Sequence, residues 1–117
     1  MLDDIMFLNL GGIDMSKYGV SFIWDKLFAN QSAVYDYAGR RMEKSAIGNP
    51  QSNSCPTIDH IRPLSHGGKD CLENIVLCNR ITNQEKSNNF PHWTANGKRF
   101  LAKRVRGTSN EYDIYQL

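Results

Sequence analysis

At 117 residues and a formal net charge of +2, the chain suits one domain with a modest core and is too short for two. Its 40% hydrophobic and 22% charged residues are those of an ordinary globular protein and exclude a disordered or fibrous one. No apolar run reaches the length of a membrane span, and the N-terminal MLDDIMFLNLGG has acids where a secretory leader has bases, so the expectation is a cytoplasmic protein with no membrane partner.

In chain order, Phe22, Ile23, Leu27 and Phe28 have the spacing of a helical face around residues 20–30, with Trp24 and Phe28 as core. A second helical piece is expected over residues 33–46. GNPQSNSCP, residues 48–56, has loop composition. TIDHI then reads as a short strand cut off by Pro63, SHGGKD as a turn and NIVLC as a second strand. NRITNQEKSNN is expected to be helical, with Asn79 as N-cap and Pro91 forbidding its continuation. KRFLAKRV, RGTSN and EYDIYQL make a terminal hairpin around a turn. The fold class is α+β. Cys55, Cys71 and Cys78 are odd in number and form no CxxC pair, which offers neither a disulfide framework nor a four-cysteine zinc site. They read as reduced thiols that pack.

Charge is unevenly spread. Residues 1–58 hold five Lys/Arg against six Asp/Glu, and residues 59–117 hold nine against six. The excess lies in GKRFLAKRVRG, residues 97–107, where Lys98, Arg99, Lys103, Arg104 and Arg106 stand with no acid among them. Such a patch fits the phosphates of a nucleic acid, though a solvated strand edge also carries bases.

The more specific signal is TIDHIRPLSHGG, residues 57–68. A strand turns successive side chains to opposite faces, so in a half-buried strand either Asp59 or His60 meets the core, at a cost in solvation. The strand-loop-strand-helix unit that contains them has few apolar residues, and its helix is too short to persist alone. Asn79, Asn83 and Lys86 share a polar helix face able to point back at the strand. A cation would tie the parts together: Asp59 and the carbonyl oxygen of Asn83 are hard ligands suited to Mg²⁺ or Mn²⁺, which keep waters and share a phosphate oxygen with a substrate.

The segment IDHIRPLSHGGKDCLENIVLCNRITNQEKSNN resembles the ββα-metal finger of the HNH endonucleases, whose motif runs Asp-His, a loop often bearing Gly-Gly, a middle Asn, and a helix with Asn or His followed by Lys. Asp59 and His60 match the first pair, Gly67 and Gly68 the loop, Asn74 the middle residue, Asn83 the last and Lys86 the helix lysine. Weaker similarity to small bacterial and phage members runs from Tyr35 through DYAGRRM to GN, and again at KSNNFPHW. Two departures stand out. Asn83 occupies a position where many members have His, and the paired CxxC knuckles of zinc-bearing members are missing, so no structural zinc is expected.

The resemblance implies a single HNH nuclease domain over residues 1–117. Its ββα-metal core would span about 55–90, flanked by an N-terminal helical segment over about 15–47 and a C-terminal basic hairpin over about 97–117. It implies a metal-dependent DNA endonuclease or nickase that leaves 5′-phosphate and 3′-hydroxyl ends. His60 would be the general base, Asp59 and Asn83 would hold one divalent cation, and Asn74 would hold the imidazole or the loop. Lys86 and Arg62 would meet phosphates, and the basic hairpin would bind the duplex backbone. One finger cuts one strand, so double-strand cleavage would need a homodimer or two nicks. A non-catalytic nucleic-acid-binding module and an RNase or nonspecific nuclease are the competing readings. Taken singly, Asp59 reads as a turn cap, His60 as a satisfied buried histidine, and Asn74 and Asn83 as turn and cap residues; it is their order and spacing that make a site. His66 reads as a solvated loop residue, and His92, beside Trp93, as packing.

Overall fold

The computed structural model of the chain describes residues 16–117; the acidic N-terminal stretch lies outside them. Helix α1, Ser16–Phe28, is followed by strands β1, Ala33–Tyr35, and β2, Arg41–Glu43. Next come β3, Pro56–His60, and β4, Ile75–Asn79, helix α2, Arg80–Lys86, and strands β5, His92–Ala95, β6, Lys98–Arg104, and β7, Tyr112–Gln116. The strands form three small antiparallel sheets, β1-β2, β3-β4 and β5-β6-β7. The fold is thus α+β, and among the described residues no helix is long and apolar enough to cross a membrane.

The buried stripe of α1 is Val20, Ile23 and Trp24, an i, i+3, i+4 set, whereas Leu27 is 52% exposed. These residues pack with Met42 and Leu77, and with Ile58 and Ile75 from the inner hairpin. Trp24 also meets the Phe28 ring edge to face, with centroids 5.0 Å apart.

The second helical piece expected over residues 33–46 is a β-hairpin, with only a 3₁₀ turn at Lys44–Ala46. Its Arg, Met, Glu and Lys are good helix formers, but Asp36 and Gly39 override them. Asp36 Oδ1 accepts from the N–H groups of Ala38 and Arg40, both at 2.9 Å, and Gly39 takes the left-handed φ of +86° that the turn needs. The carboxylate has a further task. Its Oδ2 accepts from the Asn79 N–H at 2.9 Å, where β4 ends and α2 begins.

Asn79 caps α2 through a 2.8 Å bond from the Ile81 N–H to its Oδ1. Its Nδ2 donates to the carbonyls of Arg41 and Asn53, at 2.8 and 2.7 Å. A seven-residue helix lacks the length to be stable alone. Here the cap and the hairpin turn fix where it starts.

At the C-terminus the expected hairpin gains a third strand. Trp93 and Ala95 on β5 face inward, as do Phe100 and Ala102 on β6. Asn96 and Gly97 join the strands as a two-residue turn with φ of 51° and 73°, the pair that such a turn favours. This sheet packs its inner face around Ala38 and Ile61, with Tyr37 and Phe90 against it.

Candidate active site

β3 lies between the two apolar clusters. Ile58 faces the α1 side, while Thr57 and Asp59 turn toward α2, so alternation along the strand sends the apolar residue one way and the polar ones the other. The strand ends at His60, and the chain passes through Arg62 and Pro63 into a 3₁₀ turn at Leu64–His66. Ile58, Asp59, His60, Pro63, Leu64, Ser65 and Asn88 thereby line a cleft of about 260 Å³. The adjacent carboxylate and imidazole both reach this cleft because the strand stops there.

α2 turns Asn83 and Lys86 onto β3. Asn83 Nδ2 donates to Thr57 Oγ1 at 3.0 Å and to the Ile58 carbonyl at 3.3 Å. Lys86 is fully buried, its ammonium 3.1 Å from Asp59 Oδ2. It also donates to the His60 carbonyl at 3.2 Å and sits 5.1 Å from the Trp93 ring centroid. Asp59 Oδ2 is closed off from solvent and makes no well-aligned hydrogen bond among the described residues, so Lys86 serves it as a neighbouring charge. Burial pushes the Asp59 carboxyl above the ordinary carboxylate range, and the nearby ammonium opposes that rise. Lys86, expected to meet a phosphate, is therefore an internal counter-ion.

Asn74 is fully buried and acts on the loop backbone. Its Oδ1 accepts from the Arg62 N–H at 2.9 Å, and its Nδ2 donates to the carbonyls of Arg62 and Lys69, at 3.0 and 2.8 Å. Of the two tasks expected of it, these contacts belong to holding the loop. The Gly-Gly pair has a steric reason here. Gly67 takes a left-handed φ of +85°, and a Cβ on Gly68 would fall 1.9 Å from the Arg62 carbonyl oxygen. Gly68→Ala is accordingly expected to lower stability by about 3 kcal/mol or more, because backbone has to give way rather than a flexible side chain. A urea midpoint equal to wild type would show that the loop yields freely.

His60 has a partner that sequence reasoning missed. Its Nε2 lies 2.9 Å from Asp70 Oδ1. Asn88, which lines the cleft and whose carbonyl is 2.9 Å from His66 Nε2, was also passed over. For Asp70, the Gly-Gly-Lys-Asp run offered only a turn signal; for Asn88, KSNN offered only a helix exit.

The expected phosphate contacts divide. Arg62 is half-buried and spends Nε on the His66 carbonyl at 2.7 Å and Nη1 on Tyr112 Oη at 3.1 Å, pinning the loop to β7. Lys98 donates to the Ala38 carbonyl at 2.9 Å. Both spend these donors on the protein's own backbone and side chains. Arg99, Lys103, Arg104 and Arg106 are exposed. Arg104 pairs with Tyr112 across the sheet, which sets the end of the basic strand beside the Arg62 loop.

The donor set fits a hard divalent cation. Among the described residues no group of three or more His, Cys, Asp and Glu side chains stands together as a ligand cluster. Among the described residues no hydrogen bond takes up Oδ1 of Asp59 or of Asn83. One anionic and one neutral oxygen suit an ion that keeps water and substrate oxygens for its other positions. The cysteines do not add to this set. Cys55 and Cys78 are buried free thiols, and burial pushes the Cys78 thiol far above its ordinary range.

An antiparallel hairpin ending in Asp-His, with a short helix laid across it, forms a compact site pairing an imidazole with oxygen donors. Residues 36–92 match the family model of the HNH endonucleases, which supports reading this segment as HNH-like. No curated protein and no solved structure matches it. That likeness points to a nuclease or other nucleic-acid-related role; HNH nucleases act on DNA and generally use a divalent metal.

Proposed function

We propose that the protein is a metal-dependent DNA endonuclease or nickase whose ββα-metal finger comprises β3, β4 and α2. The observation that carries this reading is the cleft at the end of β3, where Asp59 and His60 lie side by side and α2 lays Asn83 against the same strand. Asp59 and Asn83 would hold one Mg²⁺ or Mn²⁺. When bound, the ion supplies neutralisation of the charge that builds on the phosphorus and on the departing oxygen.

His60 takes a proton from water as the water oxygen bonds to phosphorus, and the bond from phosphorus to the 3′ oxygen breaks in line. The departing oxygen keeps the electron pair and is protonated from solvent, leaving 5′-phosphate and 3′-hydroxyl ends. Asn74 keeps the loop over the cleft. Lys86 holds Asp59 in place and balances its charge. The whole chain acts as one nuclease domain in the cytoplasm of a bacterial or phage-infected cell, and pairing of two copies would let it cut both strands.

Relaxation of a supercoiled plasmid, with and without Mg²⁺ and beside a labelled RNA, tests the reading. Mg²⁺-dependent nicking of the plasmid with the RNA intact is expected. Cleavage of the RNA in preference would make the protein a ribonuclease, and binding without cleavage would make it a recognition module.

The exposed bases of β6 and its following turn would bind phosphates without reading sequence. Each neutralised phosphate releases condensed counterions, so affinity should fall steeply with salt. Replacing Lys103, Arg104 and Arg106 with neutral residues is expected to weaken binding to unrelated duplexes equally. It should also reduce the salt slope by roughly two to three units if each residue meets a phosphate. Binding across a salt series on two duplexes checks this: an unchanged slope would mark a solvated edge, and a loss confined to one duplex would mark base reading.

A further inference from the structure

We propose that Asp70 is a positioning residue for His60, setting which ring nitrogen carries the hydrogen and which is left to accept a proton from water. The inference rests on the nuclease reading above, with His60 as base.

His60 Nε2 and Asp70 Oδ1 are 2.9 Å apart, with the two side chains 25% and 27% exposed. A carboxylate only accepts, so Nε2 carries the hydrogen and donates it. In the neutral ring the lone pair then belongs to Nδ1. Asp70 thus commits the imidazole to one tautomer and stops its rotation. Once the ring has taken its proton, the same carboxylate faces the imidazolium.

The loop is built to hold that carboxylate still. Asn74 grips the chain on both sides of Asp70: its Nδ2 donates to the Lys69 carbonyl at 2.8 Å, and its own N–H donates to the Cys71 carbonyl at 3.0 Å. Gly68, two residues earlier, passes close against the Arg62 carbonyl. The middle Asn of the motif thereby reaches His60 through Asp70.

Asp70→Asn and Asp70→Ala in the full chain separate a tautomer-setting role from a loop tie. Asparagine keeps the shape and can hydrogen-bond in either sense, so it would replace a simple tie but not fix the tautomer. The readouts are the ring ¹⁵N shifts of His60, single-turnover cleavage of duplex DNA with Mn²⁺, and affinity for that duplex. Wild type should hold His60 with hydrogen on Nε2. Both variants should lose that preference and cut roughly 10- to 100-fold more slowly, with DNA affinity unchanged. Asp70→Asn cutting at the wild-type rate, or a wild-type ring with hydrogen on Nδ1, overturns the role of Asp70 while the nuclease reading stands. A wild type that cuts no DNA overturns that reading and the role of Asp70 with it, whichever tautomer the ring adopts.

Discussion

Replacing His60 with alanine is expected to lower the rate of phosphodiester cleavage by about 10²- to 10⁴-fold, the range attributed to a positioned general base. Duplex affinity and Mn²⁺ binding should be retained, because the imidazole supplies neither the oxygen ligands nor the exposed bases. Single-turnover cleavage measured alongside calorimetric Mn²⁺ binding checks both halves. A His60→Ala protein that cuts at the wild-type rate would sink the mechanism. The ligand assignment is best read from Asn83→Ala, expected to lose Mn²⁺ binding and cleavage together. Asp59→Ala is less clean, since it strands the fully buried Lys86 ammonium that Asp59 faces at 3.1 Å, and lost folding would mask lost ligation.

Lys86→Met is expected to destabilise the protein by about 3 kcal/mol, near the lower end of what breaking a buried ion pair costs. Methionine keeps the apolar stem under Trp93 but leaves the Asp59 carboxylate, with a side chain only 11% exposed, without its counter-charge. That carboxyl is already pushed up by burial, and without Lys86 the main charge opposing that rise is gone. Adding Asp59→Asn should restore part of the stability by removing the unpaired buried charge, a coupling that a double-mutant cycle in urea reads directly. A Lys86→Met single variant as stable as wild type would show that the pair contributes nothing.

Much of the inner hairpin and its helix was legible because local signals agreed there. Pro63 follows closely on β3, Asn79 caps α2, and the helical spacing of Asn83 and Lys86 puts both on one face. What failed was of two kinds. Residues 33–46 were misread because Arg41, Met42, Glu43 and Lys44 favour a helix in isolation, while the deciding bonds run from Asp36 to its own turn and to Asn79, forty-three residues away. β5 was missed although Trp93, Ala95, Phe100 and Ala102 alternate on either side of Asn96-Gly97, a hairpin signal that sequence alone can support. Residue type marked Lys86 and Arg62 as phosphate ligands. The burial of Lys86 and the internal contacts of Arg62 depend on Trp93, Phe90 and Tyr112, which arrive from the last third of the chain. Asp70 was invisible for the same reason: nothing in a turn sequence says which imidazole its carboxylate will meet.

The buried Asp36 carboxylate also bears on how portable the motif is. Residues 55–90 contain every motif position matched to the family, so they look like a cassette that could be cut out and carried to another scaffold. Yet the start of α2 is held by Asp36 through the Asn79 N–H, and the far end of that helix is held by Trp93 beneath Lys86. Both anchors lie outside the cassette, on opposite sides of it in sequence. A transplanted finger would bring its chemistry without the two clamps that hold its helix against β3, so a graft that keeps the site must carry the β1-β2 turn and strand β5 as well.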